Sequence, residues 1–236
     1  ESVGSLEQLE KMSNDVRNEK NLQLQNFAQL ALVRIAPYQD IQLEFITIEG
    51  IITELLANYV ESQHLIVMGT QGQEHSGTFT HGSHTSEVML NVSAPILVVP
   101  VGCTYKAPKS ILYAIDYENY DRSILHSLSS FADVVGASVT LLHINSSKGY
   151  FDEMRMANYR KTLHDILPNE NMKLDFVSGE DLEHVLISYL TEKQIDLLVL
   201  VSRKGTILKN QYADSFSRQM TMRTQTPLLI FHASDN

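Results

Sequence analysis

The feature that most constrains this chain is an internal repeat. Laid without a gap, residues 64–100 fall on residues 196–232, with Leu65 on Leu197, Val67 on Val199, Pro95 on Pro227 and Leu97 on Leu229. Self-similarity on this scale means two copies of one folding unit, so two domains are expected, 1–102 and 106–236. Within 64–100 the aliphatic run Leu65 to Met68 shows no alternation, and neither does Ile96 to Val99. Such runs suit parallel strands covered on both faces. The expected order is therefore a strand at 65–68, a glycine-punctuated loop at 69–82, a helix from Ser83 to about Asn91 and a strand at 96–99.

The second half is the fuller copy. Ile111 to Asp116 reads as a buried strand, followed by a helix with Ile124, Leu125, Leu128, Phe131, Ala132 and Val135, and a strand from Ser138 to Ile144. A helix around Met154 to Ile166, a short strand at Leu174 and Phe176, and a helix with Leu182, Val185, Leu186, Tyr189 and Leu190 lead into the repeated stretch. Strands alternating with helices in this way predict an open parallel sheet with helices on both faces.

The first half is shorter. Leu6, Leu9, Met12, Val16, Leu24, Phe27 and Leu30 recur at roughly helical spacing and predict an amphipathic helix over Ser5 to about Val33. Ile41 to Ile48 reads as a strand, and Gly50 turns the chain into a short helix ending near Val60. Matched by elements, this half lacks a strand, a helix and a strand, roughly 40 residues by the repeat. Strand 41–48 is then without a neighbour and strand 65–68 has a raw edge. The expectation is that these residues belong to a longer molecule, or that a cleaved N-terminal fragment stays bound. An intact mass equal to 26.6 kDa with no extra fragment would point instead to strand exchange between chains.

The chemistry lies in the loop. Gly69 and Gly72 are followed, after nine intervening residues, by Gly82 and then Ser83. Glycine permits positive φ and leaves no Cβ in the way of an anion, so several amide N–H groups can converge on a phosphate. A helix opening at Ser83 adds its own unsatisfied N–H groups and positive dipole end, and the Ser83 hydroxyl either caps that helix or donates to the ligand. The spacing matches neither GxxxxGK[ST] nor GxGxxG.

In its frame of strand, loop, helix and strand, this motif resembles that of the universal stress protein family, whose ATP-binding members carry GxxG, nine residues, then Gly and Ser or Thr. The resemblance extends over both halves. It implies two flavodoxin-like domains in tandem, of the adenine nucleotide alpha hydrolase-like kind, each a parallel five-stranded sheet in the order 3-2-1-4-5, the first without its N-terminal β-α-β. It implies that ATP, with or without Mg²⁺, or else AMP or ADP, lies against Met68 and Gly69, with the backbone of Gln71, Gly72 and Gly82 and the Ser83 hydroxyl on the phosphates. His84 would be a lid or phosphate contact. It further implies a stress-response regulator or sensor whose domains pair as a pseudo-dimer, or whose chains pair as homo-oligomers, through strand 5, here Ile96 to Val99 and Leu228 to Phe231.

The second copy departs from the motif. Val201, Lys204, Asp214 and Ser215 stand in the places of Gly69, Gly72, Gly82 and Ser83. A carboxylate at Asp214 repels phosphate, which in a partly dry site costs several kcal/mol by order of magnitude, so this copy is expected to be degenerate. Asp116, in ILYAIDYEN, matches the family's ribose-contacting aspartate, and it is equally suited to cap the turn ahead of the next helix. Gln71 and Gln73 occupy places where a basic side chain would help to hold a triphosphate. His75, His81 and His84 match no standard zinc spacing, so no metal is expected. Tyr113, Tyr117 and Tyr120 are simplest as packing residues.

No nucleophile-elbow triad, paired carboxylates or catalytic lysine accompanies the loop, so an enzyme is not indicated beyond a slow ATPase. A nucleotide-independent interaction module and a weak ATP hydrolase remain as alternatives. The formal net charge of −10, with no basic track, argues against nucleic acid and anionic membrane surfaces as partners. One cysteine, Cys103, excludes an internal disulfide and fits a reducing compartment, and no apolar run is long enough to span a bilayer. A cytoplasmic location is therefore expected.

Overall fold

A computed structural model of the chain describes residues 2–37, 40–61, 64–70, 83–115, 120–145, 157, 158, 160–162, 171–202, 220 and 224–233. The chain divides into two units, Glu1–Ile51 and Ile52–Asn236.

The first unit is built on one long helix, α1 (Ser2–Ile35). Its half-buried stripe is Leu24, Ala28, Ala31 and Ile35, while Met12, Val16, Phe27 and Leu30 of the expected apolar face are exposed. The segment at 41–49 is not a strand, contrary to the sequence reading. A strand is stable only where its N–H and C=O groups meet a neighbour, and all strands among the described residues lie in the other unit. Only Phe45 of this segment is half-buried; Ile41, Leu43, Ile46 and Ile48 face solvent. Arg17 Nη2 meets Glu49 Oε2 at 2.6 Å, an exposed ion pair that links the helix to the segment and contributes little stability.

Among the described residues the second unit is built on one seven-stranded sheet. Its strands are β1 (Ile66–Gly69), β2 (Ile96–Val99), β3 (Ser110–Ala114), β4 (Ser138–Asn145), β5 (Met172–Ser178), β6 (Leu197–Ser202) and β7 (Leu228–His232). The helices with both ends among the described residues are α2 (Ile52–Tyr59), α3 (Ser83–Asn91), α4 (Arg122–Val135) and α5 (Leu182–Glu192). The spatial order is β1-β2-β7-β6-β3-β4-β5. From the second half of the chain alone, the order is the expected 3-2-1-4-5, and each of its pairings is parallel. The bounds of the described strands and helices of this half fall within about two residues of those read from periodicity, within the usual uncertainty of element ends; the helix expected around Met154 to Ile166 lies mostly outside the described residues.

The antiparallel join is between β2 and β7, with Ile96 opposite Ile230, Leu97 opposite Leu229 and Val98 opposite Leu228. Leu97 thus faces its own repeat counterpart across the ladder. A pairing centred on equivalent residues is the pattern of a two-fold interface.

Alternating side chains divide the core between the two faces of the sheet. One face carries Ile66, Val98, Leu112, Leu198 and Ile230 under Val88 and Met89 of α3 and Leu186 of α5. The other carries Ile111, Tyr113, Val199 and Leu229 under Ile124, Leu125 and Leu128 of α4. Complete burial of each such side chain contributes about 1.5–3 kcal/mol. Helix α4 is bounded at both ends. Asp121 Oδ1 accepts from the Ser123 N–H at 2.8 Å, and Gly136 takes the left-handed conformation at φ 65° that terminates it.

Candidate functional site

The glycine loop leaves the C-terminal end of β1 and returns at the N-terminus of α3. Gly69 is the last residue of β1, opposite Val99 of β2, and the strand end is extended by the Thr70 N–H donating to the Val99 carbonyl at 3.1 Å. Ser83 is the first residue of α3, whose first turn has no acidic side chain to occupy its positive end. Met68 is half-buried against the core on the α3 side of the sheet, whereas Gly69 is exposed. His84 is exposed, with Nδ1 at 3.9 Å from Glu87 Oε2, a pair that is ionic only when the imidazole is protonated.

The contact that brings the two ends together is one the sequence reading missed. Thr85 Oγ1 donates to the carbonyl oxygen of Gly69 at 2.9 Å, a side chain only 5% exposed reaching across sixteen positions of chain. It pins the first turn of α3 to the last residue of β1, so the loop's two ends are fixed relative to one another. The signal was present. Thr85 shares a helical stripe with Val88, Met89 and Val92, and a hydroxyl within an inward-facing apolar stripe must find an acceptor.

Gln71, Gly72 and Gly82 lie outside the described residues, as do Gln73, His75 and His81. So do Asp116 and, in the second copy, Lys204, Asp214 and Ser215. Val201 is half-buried in β6. At the entrance to the second copy, Asp196 collects three donors: Lys106 Nζ at 2.7 Å, the Lys109 N–H at 2.9 Å and the Ser110 N–H at 3.1 Å. Burial alone would raise its pKa, but these hydrogen bonds and the Lys106 charge outweigh it and hold the carboxyl below its ordinary value. This cluster lies at the N-terminal ends of β3 and β6, which the antiparallel β2–β7 join puts at the same end of the sheet as the C-terminus of β1 but several strands away, and it ties the linker to the start of the second copy. Cys103 is an exposed free thiol. Among the described residues no group of three His, Cys, Asp or Glu side chains could hold a metal ion, and no helix is long and apolar enough to cross a membrane.

The whole architecture has close counterparts among solved structures. A universal stress protein from Archaeoglobus fulgidus DSM 4304 superposes with a TM-score of 0.71 at 14% identity, over 94% of this chain and 82% of that one. The fold is that of the universal stress proteins. A putative universal stress protein from Pseudomonas aeruginosa UCBPP-PA14 matches with a TM-score of 0.60 at 13% identity, over 88% of this chain and 78% of that one. A functionally unknown protein from Pseudomonas aeruginosa PAO1 matches with the same TM-score and identity, over 88% and 77%. No protein-family model matches the sequence, and no curated protein does.

Proposed function

We propose that the chain acts as a universal stress protein: it binds ATP, or the related ADP or AMP, in its first repeat and serves as a stress-response regulator or sensor. The observation that carries this reading is the Thr85 to Gly69 hydrogen bond. It holds a strand's C-terminal end and a helix's N-terminal end together around a loop whose glycines free the backbone to face an anion. In open α/β sheets this is the end at which ligands bind. The nucleotide would rest on Met68 and Gly69, with its phosphates on the backbone of Gln71, Gly72 and Gly82 and on the Ser83 hydroxyl, and with His84 beside them. Mg²⁺, when present, would neutralise phosphate charge that Gln71 and Gln73 leave uncompensated.

In this reading residues 1–102 and 106–236 are two repeats, the second degenerate because of Asp214, with Asp116 as a ribose contact only if that copy retains some affinity. The Leu97 to Leu229 register supports an intramolecular pseudo-dimer of the repeats. The net charge of −10 supports a protein that engages neither nucleic acid nor anionic membrane, and the single cysteine supports a cytoplasmic location. Turnover beyond slow hydrolysis is not part of the proposal. Protein purified without added nucleotide and then denatured should release an adenine nucleotide, and a Gly82→Asp variant should release none. Absence of nucleotide from both, together with no uptake on addition of ATP, would favour a nucleotide-independent interaction module.

A further inference from the structure

The loop read above as a nucleotide site lies in a stretch with no fixed positive charge. From Ile35 to Tyr105 there is no lysine or arginine, and with histidine neutral these residues carry −7 of the chain's formal −10. The repeat supplies the comparison. Residues 64–100 hold no lysine or arginine, whereas the aligned residues 196–232 hold Arg203, Lys204, Lys209, Arg218 and Arg223. Gln71 of the first loop stands where Arg203 stands in the second, so the repeated frame takes a cation at that place. One copy has kept the glycines and the other the cations. Lys106, the first cation after the stretch, does not make up the deficit, because its Nζ is 2.7 Å from Asp196 Oδ1 at the start of β6, three strands along from β1. The second loop leaves the sheet at the other end, since the antiparallel β2–β7 pairing points the C-terminal end of β6 away from that of β1. His84, in the first turn of α3, has Nδ1 3.9 Å from Glu87 Oε2, so any charge gained on protonation is shared with that carboxylate. What the stretch offers an anion is backbone N–H groups and the start of α3, worth about half a positive charge.

We propose, resting on the reading of this loop as a nucleotide site, that its ligand is limited by phosphate charge: the site takes a nucleoside monophosphate, and takes ATP only as the Mg²⁺ complex. A phosphate monoester carries about −1.5 to −2 at neutral pH, a load that converging N–H groups and a helix start can balance. Uncomplexed ATP brings about two further negative charges into an acidic stretch, and like charges repel most strongly where water is scarce. Mg²⁺ cancels that excess before the ligand arrives, which does for ATP what a guanidinium at Gln71 would otherwise do.

The test is calorimetric titration of the intact 236-residue protein at neutral pH and low salt with three ligands: AMP in EDTA, ATP in EDTA, and ATP with excess Mg²⁺. AMP and Mg-ATP are expected to bind, and ATP in EDTA to bind at least about tenfold more weakly than either. Added salt should narrow that gap by screening the repulsion, a measurement that needs no variant. Gln71→Arg, which copies Arg203 into the first loop, should narrow it at least about threefold by strengthening ATP in EDTA more than AMP. ATP in EDTA bound as tightly as AMP, or Mg-ATP bound no better than ATP in EDTA, would overturn the proposal and leave the nucleotide reading standing. So would a gap that neither salt nor Gln71→Arg changes. Binding of none of the three ligands would overturn the nucleotide reading itself, and the proposal with it.

Discussion

Two single residues are expected to matter out of proportion to their size. Thr85→Val keeps shape and removes the donor to the Gly69 carbonyl. A neutral hydrogen bond of this kind contributes about 1 kcal/mol. Calorimetric titration should therefore show nucleotide affinity reduced about fivefold, with the melting temperature lowered only slightly because Gly69 is exposed and water can replace the donor. Asp196 gives a pH dependence. Its folded pKa is held below the unfolded value by Lys106 and the two backbone N–H groups, against the upward push of burial. A depressed carboxylate stabilises the fold at pH values above the unfolded pKa, near 4, and that stability is lost as pH falls through the folded value. Urea denaturation of Asp196→Asn should show a loss of roughly 1–2 kcal/mol at pH 7, most of it from the backbone donors, and a difference from the parent that shrinks toward pH 2. A constant difference across that range would contradict the assignment. Neither residue was legible as functional from type alone: Asp196 is one acid among many, and its role depends on a linker that returns to it across 86 positions and more.

Elements were legible where their partners lie within the sequence. β3, β4, β6 and β7 were readable from aliphatic runs because each has neighbours on both sides and helices over its faces. Ile41 to Ile48 carries the same local signal, with Ile41, Leu43, Phe45, Ile46 and Ile48, yet it forms no strand. Local propensity supplies side chains that suit a sheet, but only another strand supplies the ladder. Helix α1 was legible in extent and not in orientation: apolar spacing favoured Met12 and Phe27, whereas the half-buried stripe runs through Leu24, Ala28, Ala31 and Ile35, where two alanines give little signal. Amide hydrogen exchange should separate the two outcomes. Amides at 41–48 should exchange at near-unprotected rates while those at 111–114 are strongly protected. Protection at 41–48 comparable with β3 would mean that a ladder forms there after all.

At the scale of the molecule, residues 52–236 hold strands of both repeats in one sheet, joined through Leu97 and Leu229 and sharing one core face from Ile66 to Leu142. Such a sheet should unfold as one cooperative unit. Val88→Ala beneath the first repeat and Leu128→Ala beneath the second should therefore shift the same denaturation transition, Leu128→Ala by about 2–5 kcal/mol. Two separable transitions would mean that the repeats are independent. The place of the loop was legible in the repeat, and the strand order of the second copy followed from the resemblance to the universal stress proteins. The uncovered face of β1 was not legible, because exposure depends on what lies beside a strand, and Leu65 and Val67 are the same residue types as their buried counterparts. The central claim is that the glycine loop at the end of β1 is a working nucleotide site and its counterpart is not. Calorimetric titration of Mg-ATP into the intact protein, with Gly82→Asp alongside, tests it most directly. Binding near one nucleotide per chain that Gly82→Asp abolishes is the expected result; no heat of binding in the intact protein, or binding that survives the substitution, would contradict it.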